Sequence, residues 1–358
     1  MPNSIDVYAG KTARNLIKKN GFDQSLFEVM AGASGGPKWF TLFGLDKYIF
    51  GEFFAKRKDP LYTIGSSAGS WRMACFASKD PVKSIERLAN LYSHETYEPN
   101  VTIDEVTQSA VNMLNKVLLK DDIEAIVNNK IIQTHFIVAK AKGLNKSENK
   151  WIQSAGLLTA ATANYFSRKN LTHFFDRYIF HTQNKNFKHP FFQLIDLPTH
   201  FVPASTKSIQ SILIASGAIP LIINGVTNID GAPEGIYRDG GIIDYHLDLN
   251  FFTNKLVLYP HFFPIVKPGW FDKAIKNRNA SISNYDNVVL VTPSASHVES
   301  LPYKKISDRT DFKNLDDQAR IKYWQTVLSE SHKMADDFKL LVEKGEGIDQ
   351  IKEIEGIL

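Results

Sequence analysis

Gly65-Ser66-Ser67-Ala68-Gly69 is the sharpest chemical signal in the chain. It fits Gly-x-Ser-x-Gly, with Ser67 at the centre. Small flanking residues let a strand turn sharply into a helix, so that the central hydroxyl projects above a sheet. The pattern alone arises by chance in about one chain of this length in ten, so it needs partners. A serine hydroxyl is a weak nucleophile until a base takes its proton. Among the ten histidines, His297 and His332 lie where a Ser-acid-His order would put the base, but no local context marks either. The stronger candidate is the carboxylate of Arg238-Asp239-Gly240-Gly241. Two glycines after the acid let the backbone pass close to another element, which could bring Asp239 against Ser67. By itself the segment also reads as an ordinary Asp-Gly turn.

A third group is Gly32-Ala33-Ser34-Gly35-Gly36-Pro37-Lys38-Trp39. Backbone N–H groups of Gly35 and Gly36, at a helix start, could hold the negative charge that acyl transfer builds on a carbonyl oxygen. A phosphate-cradling loop would need Gly at 37 and Ser or Thr at 39 around Lys38. Pro37 and Trp39 exclude it.

Such residues must be positioned by strands that feed tight turns. Residues 26–31 predict a strand, and Pro37 suits the first turn of a helix that carries Trp39, Phe40, Leu42, Phe43 and Leu45 inward. Residues 61–64 predict a second strand, followed after Gly69 by a helix bearing Trp71, Met73, Ala74 and Phe76. Strands alternating with helices imply a parallel sheet with covered faces. Residues 103–127 space Val106, Ala110, Met113, Leu114 and Val117 as one helical face, with Asp104 and Glu105 at its start. Further strands are predicted at 131–139, 191–195, 211–215 and 287–292. Ile321, Trp324, Leu328, Met334, Phe338 and Leu341 form a helical stripe near the C-terminus. No linker rich in Pro, Gly or Ser divides the chain. The expectation is one α/β domain over residues 1–358, with a helical insertion near the middle and a helical C-terminal region from about residue 312.

Composition sets the outer bounds. The 358 residues are 43% hydrophobic and 22% charged, which excludes a disordered or collagen-like chain. Forty-two Lys and Arg against 38 Asp and Glu give a net charge of +4, no footprint for a nucleic-acid binder. Cys75 is the only cysteine, so an internal disulfide or thiolate zinc site is ruled out, and a reducing compartment fits. The start of the chain lacks a basic region followed by an apolar run. The most apolar stretch, 212–223, is broken by Ser216, Gly217 and Pro220 and falls short of the roughly 18 residues a membrane span needs. The expectation is a cytoplasmic protein without signal peptide or membrane span, with peripheral contact at a membrane left open. The stretch 258–271, with Tyr259, His261, Phe262, Phe263, Lys267 and Trp270, would suit a membrane surface if exposed. Burial in a packed loop is the stronger expectation for it. Lys142, Lys146 and Lys150 read as a solvated loop rather than a headgroup patch.

Together these motifs resemble those of the patatin-like phospholipase family, related to cytosolic phospholipase A2. Residues 65–69 are similar to its nucleophile turn, and Asp239-Gly240-Gly241 to its Asp-Gly-Gly/Ala motif. Ser34-Gly35-Gly36-Pro37-Lys38 is similar to its glycine-rich oxyanion loop. Ala215-Ser216-Gly217-Ala218-Ile219-Pro220 is similar to the small-residue stretch ahead of the acid. Order and spacing match over about residues 26–292. The chain departs at Ala33, Ser34 and Trp39, where the family usually has Asp, Gly and Gly. Pro37 occupies the variable position and lacks an N–H. The resemblance implies a three-layer α/β/α sandwich with a mostly parallel central sheet. It implies that Ser67 is the nucleophile and Asp239 the base, in a dyad without histidine that works through an acyl-enzyme. The N–H groups of Gly35 and Gly36 would hold the oxyanion, and Lys38, Trp39, Ala68 and Gly240 would lie near the substrate. It implies no metal or other cofactor, and a lipid or phospholipid ester substrate of the phospholipase A or lysophospholipase type. A catalytically silent or partner-activated lipid-binding relative, and an acyltransferase, are the alternatives it leaves.

Overall fold

The computed structural model describes residues 3–182, 191 and 193–358. Its strands are β1 (Ile5–Ala9), β2 (Phe27–Gly32), β3 (Leu61–Ser66), β4 (Ile132–Ala141), β5 (Phe175–His181), β6 (Thr199–Pro203), β7 (Val226–Thr227), β8 (Ile236–Asp239), β9 (Leu256–Pro260), β10 (Val288–Pro293) and β11 (Lys352–Glu353). They form one mixed sheet in the order β11-β1-β10-β9-β2-β3-β4-β5-β6, with β8 on β4 and β7 on β8. The central strands β10, β9, β2, β3 and β4 run parallel. Helices cover both faces, giving the three-layer α/β/α architecture that the resemblance implies. Every residue of β3 and β10 is buried, as sheets covered on both faces require.

One register decides the rest. β3 pairs with residues 132–137 of β4, and Ser66 lies opposite Ile137. β8 pairs antiparallel with residues 138–140 of β4, and Asp239 lies opposite Val138. β5 occupies the other edge of β4 over residues 135–141. β3 and β8 therefore meet end to end along one edge of β4. The residue after Ser66 and the last residue of β8 are thrown together there.

Several sequence expectations need correction. Residues 211–215 are not a strand but the core of the buried helix Ile209–Ser216. A short apolar run without turn signals has no period that separates the two. Residues 103–127 form two helices, Ile103–Val117 and Lys120–Asn128. Leu119 between them is extended and donates its N–H to the Asp122 carboxylate, which starts the second helix. Phe191 and residues 193–195 lie in turn and irregular backbone, not a strand. Phe192 and His189 are outside the described residues. The helix expected after Pro37 opens as a 3-10 turn, Gly36–Leu42, and becomes α-helical at Phe43–Tyr48. Residues 258–271 begin inside β9, and Tyr259, His261 and Phe262 are buried; Trp270 is 40% exposed. The C-terminal region is helical over Asp311–Asn314, Asp317–Glu330 and His332–Lys344, but its end returns to the sheet as β11 beside β1.

That region also clamps the segment after Pro37. The Trp324 and Phe40 rings meet edge to face at 5.3 Å. Gly44 donates its N–H to Ser331 Oγ at 2.8 Å, and a Cβ at Gly44 would fall 2.5 Å from the Ser331 carbonyl oxygen. Helix Phe43–Tyr48 is tied in turn to helix Ala68–Ala77 by a fully buried pair. Arg72 Nε and Nη2 donate to the two Asp46 carboxylate oxygens, each at 2.7 Å. Removing one partner of such a pair leaves an uncompensated charge in the core. Asp46→Ala is therefore expected to lower the unfolding free energy by about 3–5 kcal/mol in urea titration. The double replacement Asp46→Leu with Arg72→Met should recover most of that loss. A double variant no more stable than Asp46→Ala would show that the pair does more than neutralise itself.

Candidate active site

Ser67 stands between β3 and the helix Ala68–Ala77 with φ 53° and ψ −126°. A positive φ is costly for a residue with a side chain and persists only where the surroundings impose it. Here they do. The turn is pressed so close to the end of β2 that a Cβ at Gly69 would fall 1.9 Å from the Gly32 carbonyl oxygen. A Cβ at Gly65 would fall 2.6 Å from the Gly69 carbonyl carbon. Hydroxyl groups hold the turn from beneath. Ser67 donates its N–H to Ser216 Oγ at 3.0 Å, and Ser216 Oγ lies 2.8 Å from both Ser70 Oγ and the Ile137 carbonyl. Ser70 Oγ donates to the Gly65 carbonyl at 2.8 Å, and Ser66 Oγ to the Asp244 carbonyl at 2.6 Å. Sequence reasoning placed Ser216 in a small-residue stretch and missed this role, because a buried serine that supports a turn has no local signature.

Asp239 ends β8 facing that turn. Ser67 Oγ donates to Asp239 Oδ2 at 2.8 Å, and Gly241 donates its N–H to Oδ1 at 2.7 Å. The two glycines after Asp239 are sterically required. A Cβ at Gly240 would fall 2.2 Å from the Ile137 carbonyl oxygen, and one at Gly241 2.3 Å from Ser34 Oγ. Burial pushes the Asp239 carboxyl up to about 6, against the Gly241 N–H, the Ser67 hydroxyl and the charges of Arg309 and Lys273, which favour ionisation.

The loop ahead of the 3-10 turn forms the third wall. Gly36 has φ 55°, in the region that favours glycine. Phe262, from the buried aromatic stretch, packs where a Gly35 side chain would go: a Cβ there would fall 2.5 Å from its ring. The N–H groups of Gly35 and Gly36 donate to no described residue. Lys38 forms an ion pair with Asp308.

Two cavities flank the Ser67–Asp239 pair. One, of about 100 Å³, is mainly apolar and is lined by Ser67, Ala68, Trp39, Trp71, Leu88 and Met113 among others. The other, of about 260 Å³, is the more polar of the two and is lined by Lys38, Asp239, Tyr245, Lys273, Asp308 and Arg309 among others. Arg309 borders both cavities. Its Nη2 lies 3.3 Å from where a Gly36 Cβ would be, and its side chain makes no ion pair or hydrogen bond with any other described residue. Lys273 is exposed as a whole side chain, yet its ammonium sits 3.7 Å from the Tyr245 ring centroid. Crowding by protein atoms, then Lys38 and Arg309, pushes that ammonium down to about 8. Neither cation was legible in the sequence: both follow the recognisable motifs and reach the site only through the chain's return.

The structure thus brings together Ser67, Asp239, Gly35 and Gly36. Lys38, Trp39 and Ala68 line the cavities, while Gly240 is packed on Ile137 and lines neither. His297 and His332 border neither cavity; His297 is buried in the helix Ala295–Ser300, and the His332 ring packs on Phe43. Among the described residues no cluster of three or more His, Cys, Asp or Glu side chains could hold a metal ion.

A comparison with curated proteins finds no match. A comparison with protein families matches residues 33–246 to the patatin-like phospholipases. That segment runs from the loop at Ala33 through Ser67 and Asp239, and stops before Lys273 and Arg309. It spans more than half of the chain, so the protein belongs to the patatin-like phospholipase family of lipid acyl hydrolases.

Proposed function

We propose that this protein hydrolyses lipid acyl esters with Ser67 as nucleophile and Asp239 as base. The observation that carries the reading is the 2.8 Å hydrogen bond from Ser67 Oγ to Asp239, in a buried turn bordered by two amides without an acceptor among the described residues. Ser67 Oγ attacks the ester carbonyl carbon while its proton passes to Asp239. The oxyanion is held by the N–H groups of Gly35 and Gly36. The tetrahedral intermediate collapses, the bond to the alcohol oxygen breaks, and Asp239 returns the proton to that oxygen. Water, deprotonated by Asp239, then attacks the acyl carbon; the bond to Ser67 Oγ breaks, Asp239 returns the proton to that oxygen, and the fatty acid leaves. A carboxyl raised to about 6 is a better base than an ordinary one and is still ionised at neutral pH.

The two cavities divide the substrate. The apolar one, walled by Trp39, Trp71 and Met113, receives the acyl chain. The polar one, with Lys273 and Arg309, takes the alcohol side and favours an anionic head group, which supports a phospholipase A or lysophospholipase type. The whole chain acts as one domain in this reading, since β1, β10 and β11 complete the sheet that carries the site.

A fluorophosphonate probe is expected to give one adduct, on Ser67 by peptide mass spectrometry, and none in Ser67→Ala. An unlabelled but folded parent protein, or an adduct elsewhere, would defeat the proposal. On a soluble ester, kcat/KM should rise with pH through a single ionisation near 6 and level off above it, because the base must be unprotonated. A rate independent of pH between 5 and 8 would remove Asp239 from that role. The same burial has a cost in stability. A carboxyl whose pKa is raised in the fold stabilises it fully below the unfolded value of 3.8, and that contribution is lost as the pH rises through about 6. Asp239→Asn should therefore gain stability over the parent at pH 8, on the order of 3 kcal/mol, and little at pH 4. Thermal unfolding at both pH values checks this.

A further inference from the structure

The helix Lys150–Phe166 turns an apolar face away from the protein. Its inner side buries Gln153, Gly156, Leu157, Ala160 and Asn164. On its outer side Trp151 is 80% exposed, Leu158 69%, Tyr165 66% and Phe166 77%, with Ile152 at 45%. These positions recur at helical spacing along a helix of 17 residues, about 25 Å long. Large apolar side chains scattered singly on a surface need no explanation, but a continuous row of them does.

The chemistry of the row selects its occupant. The two exposed threonines within it turn their hydroxyl protons back into the helix: Thr159 Oγ1 donates to the Ala155 carbonyl at 2.8 Å, and Thr162 Oγ1 to the Leu158 carbonyl at 2.9 Å. The threonines therefore add no free donor, and the polar tips left on the face are the Trp151 indole N–H and the Tyr165 hydroxyl, whereas a protein interface carries a hydrogen bond every 100–200 Å² or so. Cations stand at its ends. Lys146 and Lys150 precede it, Lys169 follows it, and all three are exposed without an ion pair to any described residue. Considered alone Lys146 and Lys150 read as part of a solvated loop; beside this face they and Lys169 frame it. No Asp or Glu occurs between Lys150 and Phe175. Aromatic side chains with flanking lysines match the interfacial layer of a bilayer with anionic lipids.

The helix is also joined to the walls of the candidate site. Leu221 donates its N–H to Gln153 Oε1 at 2.7 Å, and Ile219 and Pro220 just before it line the polar cavity. Asn164 Nδ2 donates to Asp272 Oδ1 at 2.7 Å, and Trp270, two residues earlier, lines the same cavity. No helix of the described residues is long and apolar enough to cross a membrane. This one is fastened along its inner side, so it would lie in the interface rather than span it.

We propose that the outer face of the helix Lys150–Phe166 docks on an anionic phospholipid surface and sets the cavity rim against the lipid. The proposal rests on the lipid-ester reading for its purpose, and its test separates the two. The full chain is floated with vesicles of phosphatidylcholine alone and with about 30 mol % phosphatidylserine. Binding to the anionic vesicles is expected to exceed that to the neutral ones at least about tenfold and to weaken with salt. The variant Trp151→Ala/Leu158→Ser/Phe166→Ser should lose at least about tenfold of that binding. Its rate on a soluble ester, which reports folding and the intact site, should match the parent. Absence of parent binding to either vesicle, or equal binding by the variant, would overturn the proposal. So would a dimer in sedimentation equilibrium that the variant abolishes, since a second copy would then cover the face. Vesicle binding without ester hydrolysis would leave the docking surface standing and sink the hydrolase reading; hydrolysis without binding would do the reverse.

Discussion

Strand β4 is longer than its neighbour β3, and the candidate site depends on that difference. The parallel strand β3 uses one edge of β4 up to Ile137 and then stops. The free hydrogen-bonding groups beyond it are taken by β8, arriving from the opposite direction. Unpaired backbone groups in a covered sheet are costly, so an edge left open in the interior must be filled. Filling it in this way puts a turn out of β3 against a strand end. Ser67 and Asp239, 172 positions apart in the chain, come within 2.8 Å because both sit at that junction.

The junction leaves little room, and the residue types around it reflect this. Gly32, Gly65 and Gly69 let three backbone segments touch. Gly240 and Gly241 let the end of β8 lie on β4 and against Ser34. The positive φ of Ser67 is held by contacts on every side, including Ser216 from a helix well separated in sequence. Phe262 braces the loop at Gly35, and the helices Asp317–Glu330 and His332–Lys344 brace the segment after it. The C-terminal quarter, which carries no motif, is thus part of what keeps the motifs in place.

Electrostatics at the site follow from the same enclosure. Burial raises the Asp239 carboxyl, which would sharpen it as the base of the proposed reaction and stores a penalty in the fold. Lys273 and Arg309 stand close enough to favour the ionised acid, and they come from the chain beyond the segment matched to the family. The family portion of the chain supplies the Ser67–Asp239 pair, and the C-terminal portion supplies much of the charge around it.

Local chemistry was legible in the sequence wherever one short segment carried it. The Gly-x-Ser-x-Gly turn, the Asp-Gly-Gly turn, the Pro37 helix start and the alternation of β2 and β3 with helices depend on neighbours along the chain. Steric demands on glycine and proline act at that range. The apolar run at 211–215 reads as a strand yet lies in a helix, because a buried helix and a buried strand present the same side chains to their surroundings. The break at Leu119 was missed because one carboxylate, Asp122, decides it. The approach of Asp239 to Ser67, the place of Arg309 and Lys273 and the outward face of the helix Lys150–Phe166 were decided only by tertiary structure. Each depends on which distant segment occupies a given edge or leaves a given surface uncovered. Pairing along β4 and packing of the chain's two ends settle that, and neither is a property of any short stretch of residues.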